Sequence, residues 1–231
     1  LSDELRNLGL NVTPCVGTGN SPLPDYLGGN ASGNTFPGAT VPFGMVQFSP
    51  DTEKGFGRDD RGSYVHHDKA IRGFSLTHLS GPGCPVFGDV PLMPHVGRVT
   101  SSPAANPSAY VSKFSHDRES ASPGFYEVAL ENGVKVSLTA TARTGFGVFQ
   151  YPAGEAATLI IDAGRNATGV QEAEWQPDGD RRMRGSVSSG GFCGARNRYV
   201  LYFAAEFDRP FASFGVWEGE RVTPGASPVR V

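Results

Sequence analysis

Two segments of this chain leave little freedom in how it can fold. Residues 33–52 read Gly-Asn-Thr-Phe-Pro-Gly-Ala-Thr-Val-Pro-Phe-Gly-Met-Val-Gln-Phe-Ser-Pro-Asp-Thr, and residues 71–84 read Ile-Arg-Gly-Phe-Ser-Leu-Thr-His-Leu-Ser-Gly-Pro-Gly-Cys. Both interleave Gly, Pro, Phe and small polar residues too closely for an amphipathic helix or an alternating strand to run through them. Pro37 and Pro42 fix φ, while Gly33, Gly38, Gly44, Gly81 and Gly83 admit positive φ or close backbone approach. Such segments are expected to follow irregular paths of defined shape. Loops of that kind on a rigid scaffold are where binding surfaces are usually built.

The rest of the chain carries the same punctuation. With 31 Gly and 18 Pro in 231 residues, long helices are excluded and many short strands joined by turns are expected. Strands are expected at Gly44–Phe48, Tyr64–His66, Gly73–Leu76, Val86–Val90 and Val96–Thr100, with a Pro- and Ser-rich loop at Ser101–Ser108. Clear alternation follows at Gly124–Leu130 and Val134–Ala142, and Asn132-Gly133 between them is the strongest hairpin signal in the chain. Gly145–Tyr151, Thr158–Asp162, Trp175–Pro177, Arg182–Ser188, Arg198–Phe207 and Phe211–Val216 continue the pattern, and residues 1–12 are expected to hold one short helical turn. The fold class that fits is all-β: a large antiparallel, supersandwich-like β-sandwich over residues 1–231, with long Gly/Pro-rich loops and few short helices.

Charge and composition narrow the function. A net charge of −3 from scattered acids and bases gives no basic stripe for nucleic acid. No apolar run approaches the roughly 18–20 residues that cross a bilayer. The three cysteines, Cys15, Cys84 and Cys193, leave at least one unpaired, and Cys84 and Cys193 lie in Gly-rich loops that could meet.

The ionisable residues offer few catalytic candidates. Asp51, between Ser-Pro and Thr, reads as a turn or cap residue. Asp89, between Gly and an apolar stretch, reads as a buried group shaping the Cys84 loop. Glu206 and Asp208 read as solvent-facing groups on an edge strand. His66-His67-Asp68 looks like a metal cluster, but along a strand the two rings would diverge, and a solvated pair is expected. His78 lies in a Gly-rich loop that could carry it to a pocket or be held by it through backbone hydrogen bonds; His95 and His116 have no supporting context. Sugar pockets need a flat apolar wall and directional polar groups, and Phe43, Phe56, Tyr64 and Phe87 are aromatics in or beside the Gly-rich loops.

In order along the chain, Gly17-Thr18, Gly33–Ala39, Val41–Gln47, Ser49–Thr52, Ile71–Ser75, Thr77–Gly81, Gly83-Cys84, Gly88–Val90, Ser122–Tyr126, Thr139–Arg143 and Tyr202–Phe207 resemble the N-terminal domain of the glycoside hydrolase family 92 α-mannosidases. The resemblance implies the N-terminal β-sandwich of a calcium-dependent, inverting exo-α-mannosidase, most often α-1,2, acting on mannose-containing glycans in N-glycan degradation. It implies a secreted or periplasmic, bacterial-type protein whose C-terminal (α/α)6 catalytic domain lies outside this chain. That domain would supply the acid, the base and the Ca2+ ligands. No catalytic residue and no metal ligand is therefore expected here, whereas Phe56, His78 and Cys84 match or lie near positions around the sugar pocket. Two other classes remain: a stand-alone carbohydrate-binding module, and a purely structural sandwich that docks a partner domain. On the enzyme reading, the loop face around residues 33–45, 55–64 and 77–89 is expected to present apolar surface.

Overall fold

The structure, a computed structural model, describes residues 12–19, 32–53 and 62–225, with the backbone alone of residues 229–230. Phe56 and the helical turn expected before residue 12 lie outside the described residues.

The described chain is built from strands β1 (Ala39–Thr40), β2 (Gln47–Thr52), β3 (Ala70–Ser75), β4 (Leu92–Val96), β5 (Ser112–Ser122), β6 (Phe125–Leu130), β7 (Lys135–Ala140), β8 (Gly145–Gln150) and β9 (Ala157–Ile161). They continue as β10 (Glu172–Pro177), β11 (Arg182–Gly190), β12 (Arg198–Glu206), β13 (Gly215–Glu218), β14 (Arg221–Pro224) and β15 (Val229–Arg230). Short 3₁₀ turns stand at Pro107–Tyr110 and Phe192–Gly194. Nine strands form one sheet in the order β1-β2-β3-β5-β6-β7-β8, with β4 paired to β3 and β9 paired to β4. A second sheet runs β12-β11-β10-β15, and β13-β14 is a separate hairpin. Every recorded pairing is antiparallel. The all-β sandwich class read from the sequence is the class found.

The main core explains why the β6–β7 hairpin was legible. Tyr126, Val128 and Leu130 on β6 alternate inward with Val136 and Leu138 on β7, and all are buried. Each such side chain contributes roughly 1.5–3 kcal/mol on leaving water. Asn132 turns the hairpin, its Oδ1 accepting from the Val134 amide at 3.1 Å. The first strands fold back over this hairpin: β1 touches β6 and β7, and β2 touches β7. Phe48 of β2 fits because Gly145 and Gly147 on β8 carry no Cβ, which would come 3.1–3.2 Å from its ring. A smaller core, with Val90, Ala163, Ala173 and Val187, seats the second sheet against the β4–β9 side.

Several local expectations are corrected. Tyr64–His66 is no strand; Tyr64 and Val65 are extended without a ladder, and His66-His67 form a turn. Val86–Val90 is irregular, because Phe87 (φ 63°) and Val90 (φ 54°) take left-handed backbone that breaks any strand. The strand expected at Val96–Thr100 lies earlier, at Leu92–Val96, where Pro94 masks the signal on the edge facing β9. Asp51 is no turn or cap: it sits within β2, 2 % exposed, opposite Gly73 of β3. The long strand β5 went unread because its sequence is almost wholly polar. Only Ser112 and Phe114 on it are buried, and a register shift interrupts it between Phe114 and Glu119.

Candidate functional site

The two Gly-rich segments meet. His78, just after β3, lies beside β2: its Nδ1 is 2.8 Å from the Gln47 carbonyl and its Nε2 is 3.0 Å from Asp51 Oδ1. The Ser75 hydroxyl donates to the other oxygen of Asp51. The Gln47 side chain closes the knot, its Nε2 donating to the Gly44 carbonyl at 2.7 Å and its Oε1 accepting from the His78 amide at 3.3 Å. Phe36 covers the imidazole, with ring centroids 5.1 Å apart. Of the two roles open to His78, the observed geometry is that of the loop-holding one, with 2 % of the residue exposed.

Asp89 organises the far end of the same loop. It is fully buried and accepts from the Thr77 hydroxyl at 2.7 Å, Asn166 Nδ2 at 2.8 Å and the Tyr199 hydroxyl at 3.0 Å. Its own amide donates to Thr77 Oγ1 at 3.0 Å. Burial, reinforced by the Asp89 charge, raises the Tyr199 phenol well above its ordinary range, so it stays a donor. This is the buried, loop-shaping role read for Asp89 from sequence. Tyr199 and Asn166 were not foreseen, because their separation from Asp89 in sequence gives no signal.

Between these two anchors the loop tip is tied twice. The Gly81 amide donates to the Asn34 carbonyl at 2.9 Å, and Cys84 forms a disulfide with Cys193, with 5.3 Å between Cα atoms. Cys84 is thus a bridge to the turn before β12, a position compatible with the packing role read for it. Cys15 is the remaining, free cysteine.

The aromatic candidates separate by position. Tyr64 is in the main core and cannot face a sugar, which corrects its inclusion in the wall. Phe87 is half-buried, its ring 5.5 Å from that of Tyr199. Phe43 is the opposite case. It takes φ 58° in the turn closed by the Gly44 amide on the Val41 carbonyl, and it is fully exposed. Met45 beside it and Leu79 on the other loop are exposed too. Apolar side chains therefore stand on the loop face, as expected for residues 33–45 and 77–89.

Among the described residues, the carboxylates beside this face serve its shape. Asp51 and Asp89 are buried and hydrogen-bonded within the fold. Glu206 and Asp208 are exposed as expected, Glu206 on β12 at the sheet's edge and Asp208 just beyond it. Among the described residues no set of three or more His, Cys, Asp or Glu stands close enough to hold a metal ion. A small pocket of about 30 Å³ among Arg72, Met93, Tyr110, Ile160 and Asp162 has room for water, not a pyranose. His66-His67 is neither a ligand pair nor wholly solvated. His67 is exposed, but His66 stacks on His116 at 4.1 Å. The partnership of His116 with Glu119 was missed with strand β5.

Comparison with known proteins fixes what kind of sandwich this is. The model of the glycosyl hydrolase family 92 N-terminal domain matches residues 11–230. The chain belongs to this family. A family GH92 alpha-mannosidase from Bacteroides thetaiotaomicron, solved in complex with mannoimidazole, is 31 % identical and superposes with a TM-score of 0.81 over 97 % of this chain and 29 % of that one. A GH92 inverting mannosidase from the same bacterium is 26 % identical, with a TM-score of 0.73 over 95 % of this chain and 27 % of its own. An uncharacterized secreted glycosidase of Arthroderma benhamiae is 29 % identical over 136 residues, covering 55 % of this chain and 17 % of that protein. The chain thus spans less than a third of the length of the relatives it matches. Among the described residues no helix is long and apolar enough to cross a membrane.

Proposed function

We propose that this chain is the N-terminal sandwich of a secreted, calcium-dependent exo-α-mannosidase that cleaves terminal α-1,2-linked mannose with inversion. The loop face would form one wall of the sugar pocket. The (α/α)6 domain that follows in such enzymes would supply the general acid, the base that activates water, and the calcium ligands. Inversion needs two carboxyl groups roughly 6.5–9.5 Å apart, one protonated and one ionised. The observation that carries the division of labour is that, among the described residues, Asp51 and Asp89 beside the loop face are both buried and hydrogen-bonded within the fold. Within the wall, His78 would act as a positioning residue through Asp51 and Gln47. Cys84 would act by fixing the loop through its disulfide, and Phe56 would supply an apolar face to the pyranose.

The test is hydrolysis of α-1,2-mannobiose, with calcium and with a chelator, by the whole gene product and by the 231-residue chain alone. The whole protein is expected to release β-mannose in a calcium-dependent way, and the chain alone to release none. Turnover by the chain in a sample free of longer polypeptide would refute the division of labour. Absence of mannosidase activity in the whole protein would refute the assignment.

A further inference from the structure

We propose that the stacked pair His66–His116 is an acid-sensitive latch that holds residues 13–19 and the 62–68 turn onto strand β5. The latch rests on one carboxylate. Glu119 accepts from the Tyr64 hydroxyl at 2.8 Å, from the Tyr126 hydroxyl and from His116 Nδ1 at 2.6 Å. The other nitrogen of His116, Nε2, is 2.7 Å from the carbonyl oxygen of His66. His116 therefore joins β5 to the turn, one ring nitrogen to each.

His66 lies flat on that ring, with centroids 4.1 Å apart and planes 11° from parallel. Its amide donates to the Thr18 carbonyl at 2.9 Å, and the Thr18 hydroxyl donates to the Cys15 carbonyl at 2.7 Å. The turn thus carries the 13–19 segment with it. The groups facing His66 are His116 and Glu119 from β5, with His67 and Lys69 from its own segment. Glu119 already serves two phenols and His116, so a proton added to His66 finds no unoccupied counter-charge there. Among the described residues its buried Nδ1 has no hydrogen-bond partner, so an N–H created at that atom gains none. Burial, then the His116 charge, holds His66 below its ordinary value.

The direction follows from linkage. Above about pH 6.5, the ordinary value of an exposed imidazole, open and closed states are both neutral at His66 and the latch is fully effective. Below it the open state takes a proton that the stacked ring resists, and closure weakens as the pH falls. The free thiol of Cys15 does not titrate in this range, because burial and then Glu119 push it up to about 11.

The experiment is amide hydrogen exchange by mass spectrometry on the chain at pH 7.5 and 5.5, corrected for intrinsic exchange rates. Peptides covering 13–19 and 62–68 are expected to exchange up to about tenfold faster at the lower pH. That is the limit for one proton linked over the single unit below 6.5. Peptides from β6 and β7 are expected to be unchanged. His66→Phe keeps a ring in the stack and removes its titration, so it should abolish the response. Equal protection at both pH values, or an undiminished response in His66→Phe, overturns the latch. Should that variant fail to fold, ring-nitrogen NMR of the native chain decides. His66 must take up its second ring proton below the ordinary imidazole value of about 6.5, and uptake at or above that value overturns the latch.

Discussion

Removal of the Cys84–Cys193 bridge gives the largest single effect on stability expected of any change that leaves the native contacts in place. The bond closes a loop of 109 residues. In the chain-entropy treatment such a closure removes about 16 cal/mol/K from the unfolded state, or about 4.8 kcal/mol at 25 °C. The native state should barely change, because the loop keeps its other ties at Gly81–Asn34, Gly88–Thr77 and Asp89. For 231 residues the unfolding entropy near the midpoint is about 0.49 kcal/mol/K, so the double variant Cys84→Ser, Cys193→Ser should melt about 10 °C lower. Urea titration of both proteins, read by tryptophan fluorescence, gives the free energy directly. A thiol assay of the native sequence in denaturant must find a single reactive group, Cys15. A loss below about 1 kcal/mol, with the bond shown to be present in the parent, would refute the view that it restrains mainly the unfolded chain.

Other changes test the anchors and the sheet. Asp89→Ala strips the acceptor from Thr77, Asn166 and Tyr199 and should lower stability by about 3–5 kcal/mol in the same urea assay. Gly38→Ala would place a Cβ 2.3 Å from Ser49 Cα, against backbone that cannot move aside; a loss of about 3 kcal/mol or more is expected. Gly81→Ala meets open space and carries only the strain of φ 72°, so about 1 kcal/mol is expected, and the ordering of the two variants is the check. Lys135 and then Ser137 hold Glu127 below its ordinary carboxylate value. A depressed carboxylate adds stability above that ordinary value and loses it as the pH falls through the lowered one. Both partners are partly exposed, so Lys135→Ala should lose under ~1 kcal/mol at pH 7 and nothing at pH 2, where Glu127 is protonated.

Legibility in the sequence followed the physics of each element. The β6–β7 hairpin could be read because two independent signals, alternation and an Asn-Gly turn, agreed. Strand β9 could be read because Thr-Leu-Ile-Ile is an unbroken apolar run. Strand β5 was invisible because its pairing is backbone to backbone and its polar side chains serve a cluster rather than a core. Val90 and Phe87 defeated the strand reading for the opposite reason: apolar side chains there occupy left-handed backbone beside the buried Asp89. The loop-shaping role of Asp89 was legible from its Gly neighbour and apolar flank. The same reasoning failed for Asp51, because Ser-Pro before it mimics a turn, whereas the strand runs straight through Pro50 and Asp51.

Asp51, Asp89 and Glu119 show what buried carboxylates are doing in a domain whose relatives hydrolyse sugars. An ion inside a sandwich persists only if its oxygens are saturated, and the donors come from far along the chain. His78 lies 27 residues from Asp51, Tyr199 lies 110 from Asp89, and Tyr64 lies 55 from Glu119. Each pairing joins a segment without a ladder of its own to a strand or loop elsewhere. The Gly-rich loops lack the hydrogen bonds of a sheet, so these charged centres, with one disulfide, take the place of a ladder in giving them a single shape. A group so used cannot also serve as a proton donor without releasing the loop it holds. Acid–base chemistry and loop-shaping thus compete for the same carboxylates, and Asp51 and Asp89 serve shape.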